Sequence, residues 1–236
     1  AADGEEGLKE ARDRMPDLII SDVVMPKMTG IELCKQIKQD FETCHIPVVL
    51  LTARTAIEHT IEGLRIGADD YITKPFNVNL LISRCNNLVN SRIVLQEKFS
   101  KQPQTRVQML ATNPMDKDLL DRTVVIIEKN MDNAEFSLND VIRELCISRT
   151  NFFSKMKAIT GQTPNDFILT IRLKKAAYLL KNELFLSIAE VADRTGFSSP
   201  RYFSRCFKEV YGISPLFYRT GNKDEDVEET EEETGG

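Results

Sequence analysis

The N-terminal part of the chain alternates short apolar runs with helical patterns. The runs at 18–20 and 47–51 are continuously apolar, which predicts strands buried on both faces, and a shorter run at 70–73 predicts a third strand. Amphipathic helices are predicted between and after these strands, at 31–39, at 57–66, and from Asn77 past Val89 with a continuation as far as Phe99. Strands that alternate with helices indicate a parallel sheet.

From residue 115 onward the pattern is helical, and no convincing strand is found. The helices are predicted at 115–130, 138–145, 149–158, 165–181, 187–194 and 200–210. Residues that favour helix N-caps precede them, namely Asn113 (followed by Pro114), Ser137, Ser148, Thr163 and Ser187, and glycines that end helices lie at Gly161, Gly196 and Gly212. Residues 106–113 fit neither pattern clearly.

A polar, proline-containing stretch at 100–105 separates the two patterns, as is typical of an interdomain linker. At the other end, residues 222–236 are almost all acidic with no apolar face, which predicts a disordered tail. The predicted organisation is therefore an α/β domain at 1–97, a linker at 98–114, an all-α domain at 115–219 and an acidic tail at 220–236.

Charge is distributed unevenly among these parts. Residues 1–97 carry 11 basic and 15 acidic side chains, a net charge of −4, and residues 222–236 carry 1 and 8, a net charge of −7. Residues 98–221 carry 19 basic and 13 acidic side chains, a net charge of +6. A basic domain in an acidic chain indicates a polyanionic partner, although a solvated lysine-rich surface gives the same count.

Chemically active side chains follow each of the three predicted strands. Asp22 follows the first, Thr52 the second and Lys74 the third. Ligands of open parallel sheets bind at the carboxyl ends of the strands, so these side chains are predicted to meet there. Together they suit a phosphoryl group: Asp22 would attack, Thr52 would donate a hydrogen bond and Lys74 would neutralise charge. Taken alone, Asp22 also fits an ordinary strand-to-helix loop.

This constellation resembles the receiver domain of two-component response regulators. The matching motifs are Asp22 with Met25-Pro26 and Gly30, Leu51-Thr52-Ala53, Gly67-Ala68-Asp69-Asp70-Tyr71 and Lys74-Pro75-Phe76. The resemblance implies a flavodoxin-like fold in which Asp22 is the phospho-acceptor, Thr52 and Tyr71 form the switch pair and Lys74 contacts the phosphoryl group. For Tyr71, plain packing at the sheet edge is the alternative.

Two features of that family are not found in this sequence. Residues 1–8 resemble the end of the family's second strand and the start of its second helix, so the first strand and the acidic pair that helps to bind Mg²⁺ would lie upstream. We therefore expect a fragment of a longer protein, in which the strand at 18–20 forms an uncovered sheet edge. The resemblance leaves Asp22 and the backbone carbonyl of Val24 as metal ligands, which are too few for the octahedral shell of Mg²⁺ unless water supplies the rest. Mg²⁺ is expected for phosphorylation of the intact receiver, whereas this fragment is expected to bind it, and to take up phosphate, poorly.

Two helix–turn–helix units are predicted in the basic part, one at 138–158 and the other at 188–210. In the last helix of the second unit, Phe203, Cys206, Phe207 and Val210 are predicted to face inward, and Arg201, Ser204, Arg205 and Lys208 outward. A helix with a basic outer face suits the major groove of DNA.

The last helix of the first unit divides in the same way. Phe152, Met156 and Ile159 are predicted to face inward, and Thr150, Phe153, Ser154 and Lys157 outward. Phe153 is an apolar side chain on the outer face. Contact with a thymine methyl group and packing on a neighbouring helix both explain it.

The basic part, over residues 115–219, resembles the DNA-binding domain of AraC/XylS-type regulators. The matching motifs are Thr160-Gly161-Gln162-Thr163-Pro164, Ile171-Arg172-Leu173, Ile188-Ala189-Glu190-Val191-Ala192, Gly196-Phe197, the run from Tyr202 to Lys208, and Gly212-Ile213-Ser214-Pro215. The resemblance implies that helices 149–158 and 200–208 enter successive major-groove segments on one face of the DNA. Arg201 and Arg205 are expected to read bases. Phosphate contacts are expected from Arg149, Lys155 and Lys157, with a solvated charged face as the alternative for each.

Other chemistries find little support in the sequence. The five cysteines, which form no C-x-x-C pair, are predicted to be reduced, small hydrophobic residues of a cytoplasmic protein: Cys34, Cys44, Cys85, Cys146 and Cys206. The two histidines, His45 and His59, are isolated, so no zinc site is predicted. No apolar run of ~18 residues predicts a membrane span in this segment, which leaves open a parent anchored in the inner membrane.

The combined prediction is a multidomain chain, in which a flavodoxin-like partial receiver precedes an all-α domain with two helix–turn–helix units. Its expected function is phosphorelay-controlled, sequence-specific transcription regulation, as the output segment of a hybrid sensor kinase or of a free response regulator. Its partners would be double-stranded DNA, a histidine kinase domain in cis or in trans, and a second copy of the chain. The alternative is a receiver that is never phosphorylated and serves as a protein-docking module on a constitutive DNA binder. No enzymatic role beyond self-phosphorylation at Asp22 is predicted for this segment, although the parent chain could be a histidine kinase.

Overall fold

The computed structural model describes residues 1–53 and 67–221. The predicted helix at 57–66 and the acidic tail after residue 221 lie outside the described residues. Within the described ranges, an α/β part is followed by an all-α part, as the sequence predicts.

Three parallel strands form the sheet of the α/β part. β1 is Ile19–Asp22, β2 is Val48–Ala53 and β3 is Asp70–Lys74, in the order β1-β2-β3. Asp22 pairs with Leu51 and Ala53 pairs with Lys74, so the three carboxyl ends lie at the same end of the sheet. This arrangement confirms the predicted parallel sheet. In the described part of the chain β1 is an outer strand, and Ile20 is 46% exposed.

Three helices accompany the sheet within the described residues of the α/β part. They are α1 (Gly4–Arg14), α2 (Gly30–Gln39) and α3 (Val78–Lys101). α2 begins with a capping box, in which the Thr29 hydroxyl accepts from the backbone N–H of Glu32 and the Glu32 carboxylate accepts from that of Thr29. α1, α2 and the strands enclose an apolar core that includes Leu8, Leu33 and Leu50.

Helix α3 continues past the predicted domain boundary at residue 97. Its last turn reaches Lys101, and Phe99 is fully buried in the core of the all-α part. A 3-10 helix at Val107–Leu110 follows, and both of its terminal side chains are buried. The segment predicted as a linker is therefore packed, because these apolar side chains anchor it, while the domain boundaries themselves stay a prediction.

Seven helices make up the all-α part of the described chain. They are α4 (Pro114–Lys129), α5 (Leu138–Leu145), α6 (Arg149–Thr160), α7 (Pro164–Asn182), α8 (Ile188–Arg194), α9 (Pro200–Tyr211) and α10 (Pro215–Thr220). The first six agree with the predicted ranges to within two residues. α10 lies outside the predicted helices, although Ser214 followed by Pro215 is the kind of start signal that also precedes α4 and α7.

The long helix α7 joins two apolar cores. Its first half contributes Phe167 and Ile171 to a core shared with α5 and α6, and its second half contributes Leu173 and Leu180 to a core shared with α8 and α9. Each core supports one helix–turn–helix unit, so the predicted pair of units connected by one helix is confirmed.

Candidate phosphoryl site and DNA-binding surfaces

Asp22 and Lys74 lie together at the carboxyl ends of β1 and β3. Lys74 Nζ donates a hydrogen bond to Asp22 Oδ2, and the two groups form an ion pair. The backbone N–H of Val24 donates to Asp22 Oδ1 at 3.3 Å. The Lys74 ammonium holds the pKa of Asp22 below its ordinary value, against an opposing effect of burial. Asp22 is therefore an ionised carboxylate at neutral pH, the form that acts as a nucleophile.

The backbone folds closely around Asp22 after β1. The N–H of Gly30 donates to the carbonyl oxygen of Val23 at 3.0 Å. A Cβ atom at position 30 would lie 2.1 Å from the carbonyl oxygen of Asp22, far inside contact distance. The tight corner that presents Asp22 therefore requires a glycine at this position.

Thr52 and Tyr71 lie on the two neighbouring strands. Thr52 is 3% exposed at the end of β2, and its hydroxyl donates to the carbonyl oxygen of Ala53 at 3.3 Å. Tyr71 packs against the core of the α/β part, and its hydroxyl oxygen is buried without a hydrogen-bond partner among the described residues. Burial raises the pKa of Tyr71, so the phenol is neutral. The role of the two residues as a switch pair stays a prediction.

Mg²⁺ would find few ligands in the described part of the chain. The predicted ligands are the Asp22 carboxylate and the backbone of Val24, a residue that is 81% exposed. Asp3 lines the same cleft but accepts from the Glu6 N–H at 2.9 Å and pairs with Lys27 at 2.6 Å. Residues 1–53 and 67–221 contain no group of three acidic, histidine or cysteine side chains suited to a metal. The residues present therefore do not complete the six-oxygen shell of Mg²⁺.

Helix α9 presents the face that the sequence predicts. Its buried side chains are Phe203, Cys206 and Phe207, and its outer side chains are Arg201, Arg205 and Lys208, which are exposed, with Ser204 half-buried. The Arg205 guanidinium lies over the ring of Tyr202, 5.3 Å from the ring centroid. Sequence reasoning missed Tyr202 in this role, although the i, i+3 spacing of an aromatic and an arginine is a usable signal.

Helix α6 has the predicted buried residues and a more crowded outer face. The buried residues include Phe152, Met156 and Ile159, and the exposed ones are Arg149, Thr150, Ser154 and Lys157. Phe153 is half-buried against the core of the first unit, and the Arg149 guanidinium lies 5.3 Å from its ring centroid. The packing explanation of Phe153 thus has a structural basis, while contact with a thymine methyl group stays a prediction.

Lys155 is buried, contrary to the expectation that it contacts phosphate from an exposed face of α6. Its side chain is 1% exposed, and its ammonium lies 2.8 Å from the carboxylate of Asp116 in α4, whose side chain is 0% exposed. With Phe152, Met156 and Ile159, Lys155 occupies the inward stripe of the helix, so the spacing contained this signal. The expectation of a phosphate contact was based on the positive charge of Lys155 and not on its position along the helix.

Two family models match the chain. Residues 1–86 match the response regulator receiver domain, and residues 141–221 match a helix-turn-helix domain. The chain joins a receiver domain to an AraC-type helix–turn–helix domain. This combination of domains supports a regulator that binds DNA under the control of a phosphorelay. It does not favour the alternative of an unphosphorylated docking module on a constitutive DNA binder.

The alignments with known relatives cover one or both domains of this chain. Over 219 residues the chain is 44% identical to histidine kinase P4 of Formosa agariphila, an alignment that covers 93% of this chain and 16% of that kinase. Over 77 residues it is 49% identical to the alkaline phosphatase synthesis transcriptional regulatory protein PhoP of Bacillus subtilis, covering 33% of this chain and 31% of that protein. Among solved structures, the C-terminal domain of AraT, a response regulator from Geobacillus stearothermophilus, aligns at 27% identity with a TM-score of 0.40, over 50% of this chain and 96% of that one. The chain thus spans less than a third of the length of either curated relative.

The cysteines of the two domains are all free thiols. Cys34, Cys44 and Cys206 are buried, as expected of small hydrophobic residues. Burial raises the pKa of Cys34 to about 11 and also raises the pKa of Cys44, so neither is a thiolate at neutral pH. None of the helices described is long and apolar enough to cross a membrane.

Proposed function

We propose that this chain is the output segment of a hybrid sensor kinase, in which a phosphoryl group on Asp22 controls sequence-specific binding to DNA. One observation carries the proposal: an ionised Asp22 paired with Lys74 occurs in the same chain as two helix–turn–helix units. Similarity to histidine kinase P4 over 93% of the chain supports a hybrid parent over a free response regulator. The proposed location of the segment is the cytoplasm, with the donor kinase domain acting in cis or in trans.

In the proposed transfer, an oxygen of the Asp22 carboxylate attacks the phosphorus of a phosphohistidine on the kinase domain. A P–O bond to Asp22 forms while the P–N bond breaks, and the imidazole leaves with the bonding electron pair. The Lys74 ammonium, which already donates to Asp22, neutralises charge on the phosphoryl oxygens. The Thr52 hydroxyl turns from its backbone acceptor towards a phosphoryl oxygen, and Tyr71 responds to that movement.

Mg²⁺ is typical of phosphorylation in receiver domains. In this chain, Asp22 and Val24 would supply two of the six oxygens that Mg²⁺ requires, and the described residues contain no group of three acidic, histidine or cysteine side chains that could hold the ion. We therefore expect this chain alone to bind Mg²⁺ weakly and to take up phosphate at Asp22 poorly.

The proposed DNA contacts lie on the outer faces of α6 and α9. They are Arg149, Thr150, Phe153, Ser154 and Lys157 on α6, and Arg201, Ser204, Arg205 and Lys208 on α9. Arg201 and Arg205 read base edges, and a good bidentate contact gives about 1–3 kcal/mol of discrimination. Arg149 and Lys157 hold phosphates, which sets orientation and not sequence. Phosphorylation alters dimerisation or releases the DNA-binding domain, and so changes affinity.

The test is Asp22→Asn in the intact parent protein. Affinity is measured at fixed salt for a duplex that the parent selects from a random-sequence pool, with the donor kinase active and inactive. We expect kinase activity to change the affinity of the wild type and to leave that of Asp22→Asn unchanged. Asp13→Asn, at an exposed position of α1, is the matched control and should respond as the wild type does. An equal response in Asp22→Asn would refute the proposal.

A further inference from the structure

A cavity of about 380 Å³ lies between helix α3 and the 3-10 helix at Val107–Leu110, where the α/β part of the chain meets the all-α part. Leu88 and Leu95 of α3, together with Met109 and Leu110, give it an apolar wall. Cavities of ~300–1,000 Å³ that combine an apolar lining with a few polar groups are typical of small-molecule sites. This cavity is therefore large enough for an organic ligand.

Arg92, on α3, brings a positive charge to the cavity lining. Its Nη2 donates to the carbonyl oxygen of His45 at 2.6 Å, which is its only hydrogen bond to the described residues, and no ion pair joins it to a carboxylate of those residues. A guanidinium carries five N–H donors, so most donors of Arg92 have no acceptor in the described part of the chain. The side chain is half-buried, and burial lowers the pKa of Arg92 because it removes water from the charge. An anion in the cavity would supply the missing acceptors.

The acidic side chains of the same lining are already engaged by other cations. Asp69 pairs with Lys38 at 2.7 Å, and Asp70 accepts two hydrogen bonds from Arg84 at 2.8 and 2.9 Å. Neither carboxylate is therefore available to Arg92. Both still repel negative charge, and they repel a dianion more strongly than a monoanion. The charges of the lining thus favour a ligand with a single negative charge.

The volume and the apolar wall define the rest of the ligand. At ~30 Å³ for each water-sized group, the cavity accommodates about a dozen non-hydrogen atoms. A carboxylate matches the fork of a guanidinium with two parallel hydrogen bonds. An aliphatic carboxylate of medium length, such as octanoate, combines that group with an apolar chain that can pack against the leucine side chains.

We propose that this cavity is a binding site for an organic monocarboxylate, whose carboxylate group binds Arg92 and whose apolar body packs against the wall formed by α3 and the 3-10 helix. Such a ligand would contact the receiver and the segment that leads into the DNA-binding domain, so binding would stabilise this arrangement of the two. The cavity lies beside Asp70, at the first residue of β3, whereas Asp22 lies at the opposite end of the sheet. The inference goes beyond the proposed function and depends on neither phosphorylation nor DNA binding.

Isothermal titration calorimetry of the full chain with octanoate, at fixed pH and salt, tests the site directly. Octanamide, which has the same chain length and no charge, is the matched control ligand, and octyl phosphate tests the preference for a monoanion. We expect saturable binding of octanoate at one site. Since hydrogen bonds between charged groups are stronger than those of neutral groups, octanamide should bind roughly 10-fold weaker or less well still. Octyl phosphate should also bind more weakly than octanoate.

Two pairs of variants test the assigned residues. Leu88→Glu places a carboxylate four residues before Arg92 on α3, where it can pair with the guanidinium and replace the ligand, whereas Leu88→Gln makes a change of the same size without the charge. Arg92→Gln removes the cation, and Arg122→Gln removes an exposed one on α4. We expect Leu88→Glu and Arg92→Gln to lose octanoate binding by roughly 10-fold or more, and their partners to keep most of it.

Several outcomes would overturn the site. They are the absence of saturable octanoate binding to the wild type, equal binding of octanamide, and tighter binding of octyl phosphate. Equal binding of octanoate by Leu88→Glu and Leu88→Gln would show that Arg92 does not hold the carboxylate. Circular dichroism of each variant without ligand verifies folding, and if Arg92→Gln fails to fold, the Leu88 pair decides. Failure of this site would leave the proposed function of Asp22 and of the helix–turn–helix units standing.

Discussion

Replacing Lys155 by methionine leaves the Asp116 carboxylate buried without its counter-charge. Methionine keeps most of the apolar length of the lysine side chain, so the change removes the ammonium and little volume. The two side chains are 1% and 0% exposed, which leaves solvent little opportunity to compensate. Breaking a buried pair by removing one partner costs about 3–5 kcal/mol, and we expect a loss of that size in the free energy of unfolding.

Urea unfolding followed by far-ultraviolet circular dichroism measures this loss, since the chain contains no tryptophan for fluorescence. With an m-value near the upper end of ~1–3 kcal/mol/M, the midpoint should fall by roughly 1–2 M. Lys157→Met, at an exposed position on the same helix, is the matched control and should change stability by no more than ~0.5 kcal/mol.

A double variant sharpens the same test. Lys155→Met combined with Asp116→Leu removes both charges, and apolar replacement of a buried pair is often neutral or stabilising. We therefore expect the second substitution to restore most of the stability that the first removes. If Lys155→Met proves as stable as Lys157→Met, the reasoning about the buried pair is wrong.

Two further predictions concern the phosphoryl site and the interface. Gly30→Ala should cost about 1–3 kcal/mol and impair phosphorylation of Asp22, because its Cβ would lie 2.1 Å from a backbone oxygen. Gly7→Ala, whose Cβ would lie 3.3 Å from the end of the Leu33 side chain and 3.8 Å from the Cβ of Ala1, should be neutral or stabilising in thermal unfolding. Burial, together with the Lys155 ammonium, lowers the pKa of His45 to about 4, so the loop at 40–47 packs against the all-α part with a neutral imidazole. The packing of the loop at 40–47 against the all-α part should therefore be most stable above the ordinary histidine pKa of 6.5 and should weaken as the pH falls towards 4. Amide hydrogen exchange in residues 40–47, corrected for its intrinsic rate, should become faster over that range. The His45→Asn variant should not show this pH dependence.

Most of the fold could be predicted from local sequence signals, because the helices have their own N-cap residues and each helix or strand has its own hydrophobic period. Asn113, Thr163 and Ser187 cap the helices that they were expected to cap. The meeting of Asp22 with Lys74 follows from a general rule, since parallel strands bring their carboxyl ends together. That rule needs the order of elements and no knowledge of side-chain packing.

The interface between the domains could not be predicted in the same way. Asn151 and Glu42 are hydrogen-bonded across this interface although they are 109 residues apart in the chain, and neither belongs to a pattern that would indicate the other. The packed segment after residue 97 was missed for a related reason, since polar composition dominated the prediction while Phe99 and Val107 anchor the chain. Long-range contacts of this kind depend on the complementarity of two folded surfaces, which no periodic sequence pattern indicates.

The phosphoryl site and the loop at 40–47, between α2 and β2, lie at opposite ends of β2. A strand of the length of Val48–Ala53 spans roughly 17–20 Å at ~3.3 Å per residue. At physiological salt the Debye length is ~8 Å, so a charge on Asp22 acts only weakly through space on the buried pair beneath the loop.

Direct hydrogen bonds and an ion pair connect the two regions instead. Lys38 Nζ donates to the carbonyl oxygen of Ile46 in the loop at 40–47 at 2.9 Å and pairs with Asp69 at 2.7 Å. Asp69 in turn accepts from the N–H of Val48 at 2.8 Å, and it lies two residues before Tyr71 on the chain. Among the described residues, β2 and this Lys38–Asp69 bridge therefore connect the neighbourhood of the phosphoryl site with the loop at 40–47, over a distance at which direct electrostatic repulsion is weak.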